Sequence, residues 1–342
     1  MKRTVLVTGG AGFIGANFVY HILKKYPDYR VIVVDKLTYA GNLDNLKEAI
    51  EKFSDRFAFY REDIVERHKM LEIFVKEKPD FVAHFAAESH VDKSIENPYP
   101  FLMTNILGTH SLLEAAKFVG VDRFHLISTD EVFGELPLDD LSIKFTEESN
   151  YNPQNPYSAS KAAADHLVRA YRHTYGMNIT LSNCTNNIGP YQFPEKIVPW
   201  FTLNALNDRP ITVHGSGHNM RDYIYVWDHC EGIDRVLHLG KSGETYFFST
   251  ERETSNIEVA NVVVEKLGKP KSLINYVKDR PGNDTRYAMY YTKAKNDLGW
   301  TPEHTFEQSI EMTIDWYVKN EKWYEHSWAK LQQEYQLLNN TK

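Results

Sequence analysis

The sequence predicts an α/β protein built on a doubly wound parallel sheet, with a smaller mixed α/β domain beside it. Three observations carry that reading. Short apolar runs alternate with amphipathic stretches through the first half of the chain, the pattern of repeated β-α-β units. A glycine-rich turn, Gly9-Gly10-Ala11-Gly12-Phe13-Ile14-Gly15, separates the first apolar run from the first amphipathic stretch. Past Asn186 the alternation stops, and proline and glycine punctuate the chain closely.

The elements follow in order. Thr4–Thr8 reads as a strand and Ile14–Lys25 as a helix. Val31–Asp35, rich in β-branched residues, is a second strand, and Phe57–Tyr60 a weaker third. A helix over Lys69–Lys78 leads to the strand Phe81–Phe85, and a helix over Phe101–Val119 to the strand Phe124–Ser128. The long helical segment Ser158–Tyr175 precedes the strand Asn178–Ser182. Beyond Asn186, Gly189-Pro190, Phe193-Pro194, Val198-Pro199 and Arg209-Pro210 predict loops and short helices rather than another sheet layer. Ile257–Leu267 and Phe306–Lys319 are amphipathic helices, and the aromatic, charged tail Trp323–Lys342 is expected to fray at its last residues. These elements divide the chain into a first domain of residues 1–185, with returns near 223–248, and a second of residues 186–222 and 249–342.

Composition narrows the class. With 342 residues, 42% hydrophobic and 25% charged, the chain is ordinary for a globular protein. No apolar run approaches the roughly 20 residues of a membrane helix. The opening Met1–Thr8 is too short in its apolar part for a signal peptide and runs straight into the glycine turn. A formal net charge of −7 argues against a nucleic-acid partner. Cys184 and Cys230 form no CxxC pair and read as buried, reduced thiols of a cytoplasmic protein. No internal repeat occurs, and no metal is expected.

The glycine turn lies between a strand and a helix. Glycines at 9, 12 and 15 allow a tight turn, a close approach to a pyrophosphate and close helix-to-strand packing. The helix N-terminus then offers free N–H groups to the anion. Asp35, twenty residues past Gly15, ends the second strand, where its carboxylate can accept hydrogen bonds from an adenosine ribose. That charge would repel a 2′-phosphate, which favours NAD over NADP, although Lys36 beside it works against the discrimination. The alternative for Asp35 is a solvated strand-end acid.

Tyr157-Ser158-Ala159-Ser160-Lys161 opens the long helix with Tyr and Lys at i and i+4, on one face. A free tyrosine, with its pKa of about 10, is a poor base at neutral pH. A neighbouring ammonium and a positive nicotinamide ring would both favour the phenolate. On an isolated helix such a pair is usually a surface pair; after a dinucleotide fingerprint it reads as catalytic. Ser128-Thr129-Asp130-Glu131-Val132 follows a strand, where open α/β sheets gather their catalytic groups. Thr129 can hold the hydroxyl that Tyr157 deprotonates. Either acid alone would read as a helix cap or a solvated loop residue. Together they are more than hydride transfer requires, and they suit an elimination.

These segments, with Asp35-Lys36-Leu37-Thr38-Tyr39-Ala40-Gly41-Asn42 and Ala86-Ala87-Glu88-Ser89-His90-Val91-Asp92, resemble the extended short-chain dehydrogenase/reductase superfamily, a Rossmann-fold group. Within it they are similar to the dTDP-glucose 4,6-dehydratases. The resemblance continues through Asn186-Asn187, Gly189-Pro190-Tyr191, Phe193-Pro194-Glu195-Lys196, Arg221-Asp222 and Asp279-Arg280-Pro281-Gly282, nearly the whole chain. Its most specific element is Thr129-Asp130-Glu131, since the related 4-epimerases lack that acid pair.

The resemblance implies a nucleotide-sugar 4,6-dehydratase that acts on a nucleotide-diphosphate hexose and recycles bound NAD. Tyr157, with Lys161, would take the proton of the carbon-4 hydroxyl as hydride leaves for NAD⁺. Glu131 would remove the proton on carbon 5, Asp130 would protonate the departing carbon-6 hydroxyl, and the hydride would return to carbon 6. Gly9, Gly12, Phe13, Ile14, Gly15 and Asp35 fall at cofactor positions, as do Lys36, Thr38, Asp63 and Ile64. Ala86, Ala87, Thr104 and Asn187 complete that set beside Tyr157 and Lys161. Ser89, Thr129, Asn186, Lys196, Ile197 and Thr212 fall at substrate positions, with His214, Arg221, Asn256, Arg280 and Asn283. Arg221 and Arg280 suit the diphosphate, because guanidinium forks match phosphate oxygens. A homodimer through the two long helices is also implied.

Several positions depart from the family pattern. Lys93 stands where Arg is usual, Phe133 where Tyr is usual, Ile188 in place of a Tyr, Tyr223 in place of a Trp and Asn283 in place of a His. His214 sits where an aromatic often packs, and Tyr246–Thr250 lacks a following glycine pair. None touches the Thr-Asp-Glu, Tyr or Lys set. They leave open a retaining UDP-N-acetylglucosamine 4,6-dehydratase and, behind it, a UDP-sugar 4-epimerase or UDP-glucuronate decarboxylase. A non-enzymatic NAD-sensing module should have lost the tyrosine, lysine or acids that this chain keeps.

Overall fold

The structure, a computed structural model, describes residues 2–278 and 284–340. Its strands are β1 (Thr4–Thr8), β2 (Arg30–Val34), β3 (Phe57–Tyr60), β4 (Phe81–His84), β5 (Arg123–Thr129) and β6 (Ile179–Cys184), followed by β7 (Asn186–Ile188), β8 (Ile211–His214), β9 (Met220–Tyr225), β10 (Thr245–Phe248), β11 (Glu253–Ser255) and β12 (Ile274–Val277). Seven form one sheet in the order β10-β6-β5-β4-β1-β2-β3, and every pairing in it is parallel.

The central strands are apolar on both faces because both faces are covered. Val5, Val7, Val31 and Val33 point to one side, where helices Phe13–Lys25 and Val226–Leu239 pack over them. Leu6, Ile32, Val34 and Val82 point to the other, beneath Arg67–Glu77, Thr109–Val119 and Pro156–Tyr175. All of these strand residues are fully buried. The alternation in facing direction is the period-two geometry of a strand.

Past β6 the structure departs from the expected loops and short helices. A three-stranded sheet, β11-β9-β7, and a parallel pair, β12-β8, stand there. Their strands have three to six residues, too short to show alternation through the Pro and Gly punctuation. They pack with helices Ile197–Leu206, Asn256–Lys266 and Phe306–Lys319 around Val198, Phe201, Val213, Tyr223, Val263 and Ile310. The chain also returns to the large sheet, where β10 pairs with β6 at its edge.

A second difference lies in the segment expected as one helix over Phe101–Val119. It begins at Tyr99–Phe101, widens into a π-helical stretch at Leu102–Gly108 and then runs as α-helix over Thr109–Val119. The wide turn carries the buried Thr104 and Asn105. Asn105 accepts from the Glu88 amide at 2.9 Å and donates to Ser160 Oγ at 2.8 Å, which joins the segment after β4 to the tyrosine-bearing helix. The tail forms a helix, Glu321–Asn340. No helix among the described residues is long and apolar enough to cross a membrane.

Candidate active site

The strand order reverses at β1 and β4. In an open parallel sheet this reversal leaves a crevice beyond the carboxyl ends of the strands. A cavity of about 320 Å³ lies there, with the glycine turn at one end and Thr129, Asp130, Glu131 and Tyr157 at the other.

At the turn, Gly9 has a φ of 68°. A Cβ on Gly9 would lie 2.7 Å from the Ala86 amide nitrogen, and one on Gly15 would lie 2.3 Å from the Gly9 oxygen. Only glycine lets helix Phe13–Lys25 start so close to β1 and β4. That helix has no acid in its first turn, and Gly12 supplies no side-chain cap, so its first amides remain available to an anion. The cradle therefore fits a dinucleotide pyrophosphate.

Just past β2, Asp35 accepts from Ala11 N at 3.0 Å and from Leu37 N at 2.8 Å. Burial pushes its carboxyl above the usual range, and these two donors hold it back. Asp35 thus braces the turn as well as facing the cavity. The Lys36 ammonium lies 3.4 Å from Asp63 and 3.8 Å from Glu88 and donates to Thr104 Oγ1 at 3.3 Å. Its charge is turned toward acids, which limits its pull on a 2′-phosphate. All positions expected at the cofactor line this one cavity: Phe13, Ile14, Thr38, Ile64, Ala87 and Asn187 lie there with those just named and with Tyr157 and Lys161.

The other end is built by β5 and helix Pro156–Tyr175. Asn155 caps that helix by accepting from Ser158 N at 2.9 Å, and Ser158 Oγ accepts from Asn155 N at 3.2 Å; Pro156 follows at the first helical position. Tyr157 is therefore held in the first turn. One turn on, Lys161 Nζ donates to the Ile127 carbonyl at 2.8 Å. At the end of β5, Thr129 Oγ1 donates to Asp130 Oδ1 at 3.2 Å and accepts from Glu131 N at 3.3 Å. The hydroxyl thereby caps the short turn Asp130–Phe133, which aims both acids into the cavity.

Burial, then the charge of Glu131, pushes the Asp130 carboxyl up to about 8. Its Oδ2 is buried without a hydrogen-bond partner among the described residues. Glu131 is also raised by burial, while Lys196 and Arg221 draw it back. Tyr157 differs from expectation. Burial holds its phenol well above the ordinary value, Glu131 and Cys184 add to that, and the Thr129 hydroxyl pulls it down. Lys161 is itself lowered by burial against the opposing pull of Asp165. The phenolate expected from the neighbouring ammonium thus depends on positive charge brought by a ligand.

The expected substrate positions divide. Ser89, Thr129, Asn186 and Lys196 line the cavity. Ile197, Thr212, His214, Arg221 and Asn256 stand outside its wall. Thr212 Oγ1 accepts from Trp200 at 3.4 Å, His214 faces the Lys278 carbonyl at 3.4 Å, and Ile197 and Asn256 open helices. Arg221 is close enough to lower both acids, and it lies over the Tyr287 ring at 4.7 Å. Arg280 and Asn283 lie outside the described residues.

Two features escaped the sequence reading: Glu195 in the cavity wall, and Asp165, buried on the tyrosine-bearing helix outside that wall. Glu195 accepts from Tyr39 at 3.3 Å and lies 3.4 Å from His90; its signal was its place beside Lys196. Asp165, fully buried, accepts from Ser128 Oγ at 2.9 Å and Tyr151 at 3.1 Å. It repeats the helical spacing of Tyr157 and Lys161 once more, at i+8 from the tyrosine.

The family described as GDP-mannose 4,6 dehydratase matches residues 6–313. The dTDP-glucose 4,6-dehydratase of Escherichia coli is 46% identical, over 94% of this chain and 95% of its own. The chain belongs to the dTDP-glucose 4,6-dehydratase family. Among solved structures, the Bacillus anthracis member of the family in complex with NAD has a TM-score of 0.88 and 41% identity, covering 94% of this chain and 99% of that one. The Streptomyces venezuelae member with NAD and TYD bound has the same score and identity, over 94% and 98%. The UDP-glucose 4-epimerase of Thermotoga maritima is close in shape too, with a TM-score of 0.85 at 30% identity over 92% and 99%. The fold is thus common to the family and to an epimerase, and the choice of reaction rests on the site.

Proposed function

We propose that this protein converts dTDP-glucose to dTDP-4-keto-6-deoxyglucose, as an NAD-dependent hydro-lyase. The observation that carries this is the convergence of Thr129, Asp130, Glu131 and Tyr157 on the cavity that begins at the glycine turn. The glycine turn, Asp35 and Lys161 would hold NAD, which would supply the hydride acceptor for carbon 4 and the hydride donor for carbon 6.

The chain's own groups move the protons. Tyr157 takes the proton of the carbon-4 hydroxyl, which Thr129 orients. The resulting ketone acidifies the proton on carbon 5, and Glu131 removes it. Asp130, whose carboxyl stays protonated near neutral pH, gives its proton to the departing carbon-6 hydroxyl. Ser89, Asn186 and Lys196 hold the sugar and diphosphate, and Arg221, whose charge reaches both acids, is assigned to the phosphates.

The division of the chain into a dinucleotide-binding part and a substrate-binding part belongs to this reading, as do a cytoplasmic setting, suited to two free buried thiols, and a place in deoxysugar synthesis. A homodimer is proposed through the Tyr99–Val119 and Pro156–Tyr175 segments. Tyr99, Phe118 and Tyr175 are 65%, 70% and 53% exposed there, a large apolar outlay for a free surface. The test of the activity is incubation of the purified protein with dTDP-glucose, UDP-glucose and UDP-N-acetylglucosamine in turn. Preferential loss of water from dTDP-glucose is the expected result; preference for UDP-N-acetylglucosamine would overturn the substrate assignment.

A further inference from the structure

The tail helix reaches the glycine turn. Trp323 Nε1 donates to Asn45 Oδ1 at 2.6 Å, and Asn45 Nδ2 donates to the Ala11 carbonyl at 2.8 Å. Asn45 is almost wholly buried, and Tyr20 donates to its carbonyl at 2.8 Å. An indole N–H can only donate, so it fixes which end of the Asn45 amide faces it. The NH₂ group is left to face Ala11.

Ala11 sits in the glycine turn, and its peptide groups are gripped from both directions. Its N–H is held by Asp35, and its carbonyl accepts from Asn42 N at 3.0 Å as well as from Asn45. Neither Asn42 nor Asn45 lines the cavity, so these contacts hold the carbonyl toward donors outside it. A carbonyl rotated toward the helix N-terminus at the cavity would set a partial negative charge against a bound pyrophosphate.

We propose that Trp323 is a positioning residue for the cofactor: through Asn45 it locks the Ala11 carbonyl away from the pyrophosphate, so that the tail helix governs how tightly NAD is held. The inference rests on the reading of the glycine turn as the NAD cradle. Trp323 also packs against Trp316 at 4.8 Å and Tyr191 at 6.0 Å between ring centres. Tyr191 belongs to the segment that leads on to Glu195 and Lys196, so the tail braces both ends of the cavity.

The test compares NAD dissociation from the native protein, Trp323→Phe and Trp316→Phe. Phenylalanine at 323 keeps an aromatic ring but removes the donor. Dissociation should quicken by roughly threefold to tenfold, the worth of one net hydrogen bond. Turnover at saturating NAD should change by less than the dissociation rate does. Trp316→Phe disturbs the same aromatic cluster without touching Asn45; it should lower the unfolding temperature and leave NAD dissociation unchanged. Native dissociation from Trp323→Phe, or equal acceleration in both variants, would overturn the proposal. A native protein that binds no NAD would instead overturn the reading of the cradle itself.

Discussion

The ammonium of Lys161 donates to the carbonyl of Ile127 at 2.8 Å, tying the helix that carries Tyr157 to the strand that ends in Thr129. Tyr157, the proposed proton acceptor, and Thr129, the proposed orienting hydroxyl, are held in place by this contact together with the Ser128–Asp165 hydrogen bond and the Asn155 cap. Lys161→Met should therefore lower the rate of carbon-4 oxidation by about 10²–10⁴-fold, comparable with Tyr157→Phe, because positioned proton transfer is worth about that much. Single-turnover absorbance of the reduced nicotinamide measures it.

Asp165 supports the Lys161 charge against burial. Replacing it by Asn removes that support, so Lys161 loses its proton at lower pH. The alkaline limb of the kcat/KM profile should move toward neutrality in Asp165→Asn. An unmoved limb would show that Asp165 serves only Ser128 and Tyr151.

Asp130 sets a pH dependence of stability. Burial and the neighbouring Glu131 charge push its carboxyl in the folded chain up to about 8, above the ordinary 3.8 of an exposed aspartate. Between those values the unfolded chain loses the proton that the folded chain keeps, so stability is fullest below the lower value and falls as pH rises through the upper one. Asp130→Asn removes this loss and should raise stability at pH 8 by on the order of 1–2 kcal/mol, the usual yield of relieving a functional strain. The gain should shrink at pH 4. Thermal unfolding at the two pH values checks it.

At the other end of the cavity, Asp35→Ala removes both the proposed ribose acceptor and the brace on Ala11 and Leu37. NAD affinity should fall and discrimination against NADP should narrow. A native protein that already prefers NADP would refute this role for Asp35.

The large sheet was legible because its strands are buried on both faces, so Val5–Val7 and Val31–Val34 read as unbroken apolar runs. The glycine-turn end of the cavity was legible because glycine spacing and a strand-end acid are local signals. The small sheets were not, since β7 and β11 have three residues each and take their order from β9, far from either in sequence. The departures from the family pattern also become intelligible. Ile188 and Tyr223 lie in the core of the smaller part and Phe133 packs against Phe145, Tyr151 and Phe247, away from the cavity wall. Lys93 covers the Tyr39 ring at 3.9 Å. What no local pattern could show was the link from Trp323 to Asn45, which joins residues 278 positions apart.

Asp130 and Glu131 are proposed to carry out an elimination that Tyr157 does not. One experiment separates them: a single turnover of dTDP-glucose in heavy water by Glu131→Gln and Asp130→Asn, followed by nicotinamide absorbance and mass spectrometry of the product. Both variants should still reduce the nicotinamide, hold it reduced and release little product, with deuterium at carbon 5 suppressed more in Glu131→Gln than in Asp130→Asn. Formation of the 4-keto-6-deoxy product at the native rate by both variants would contradict the account and reduce the two acids to structural residues.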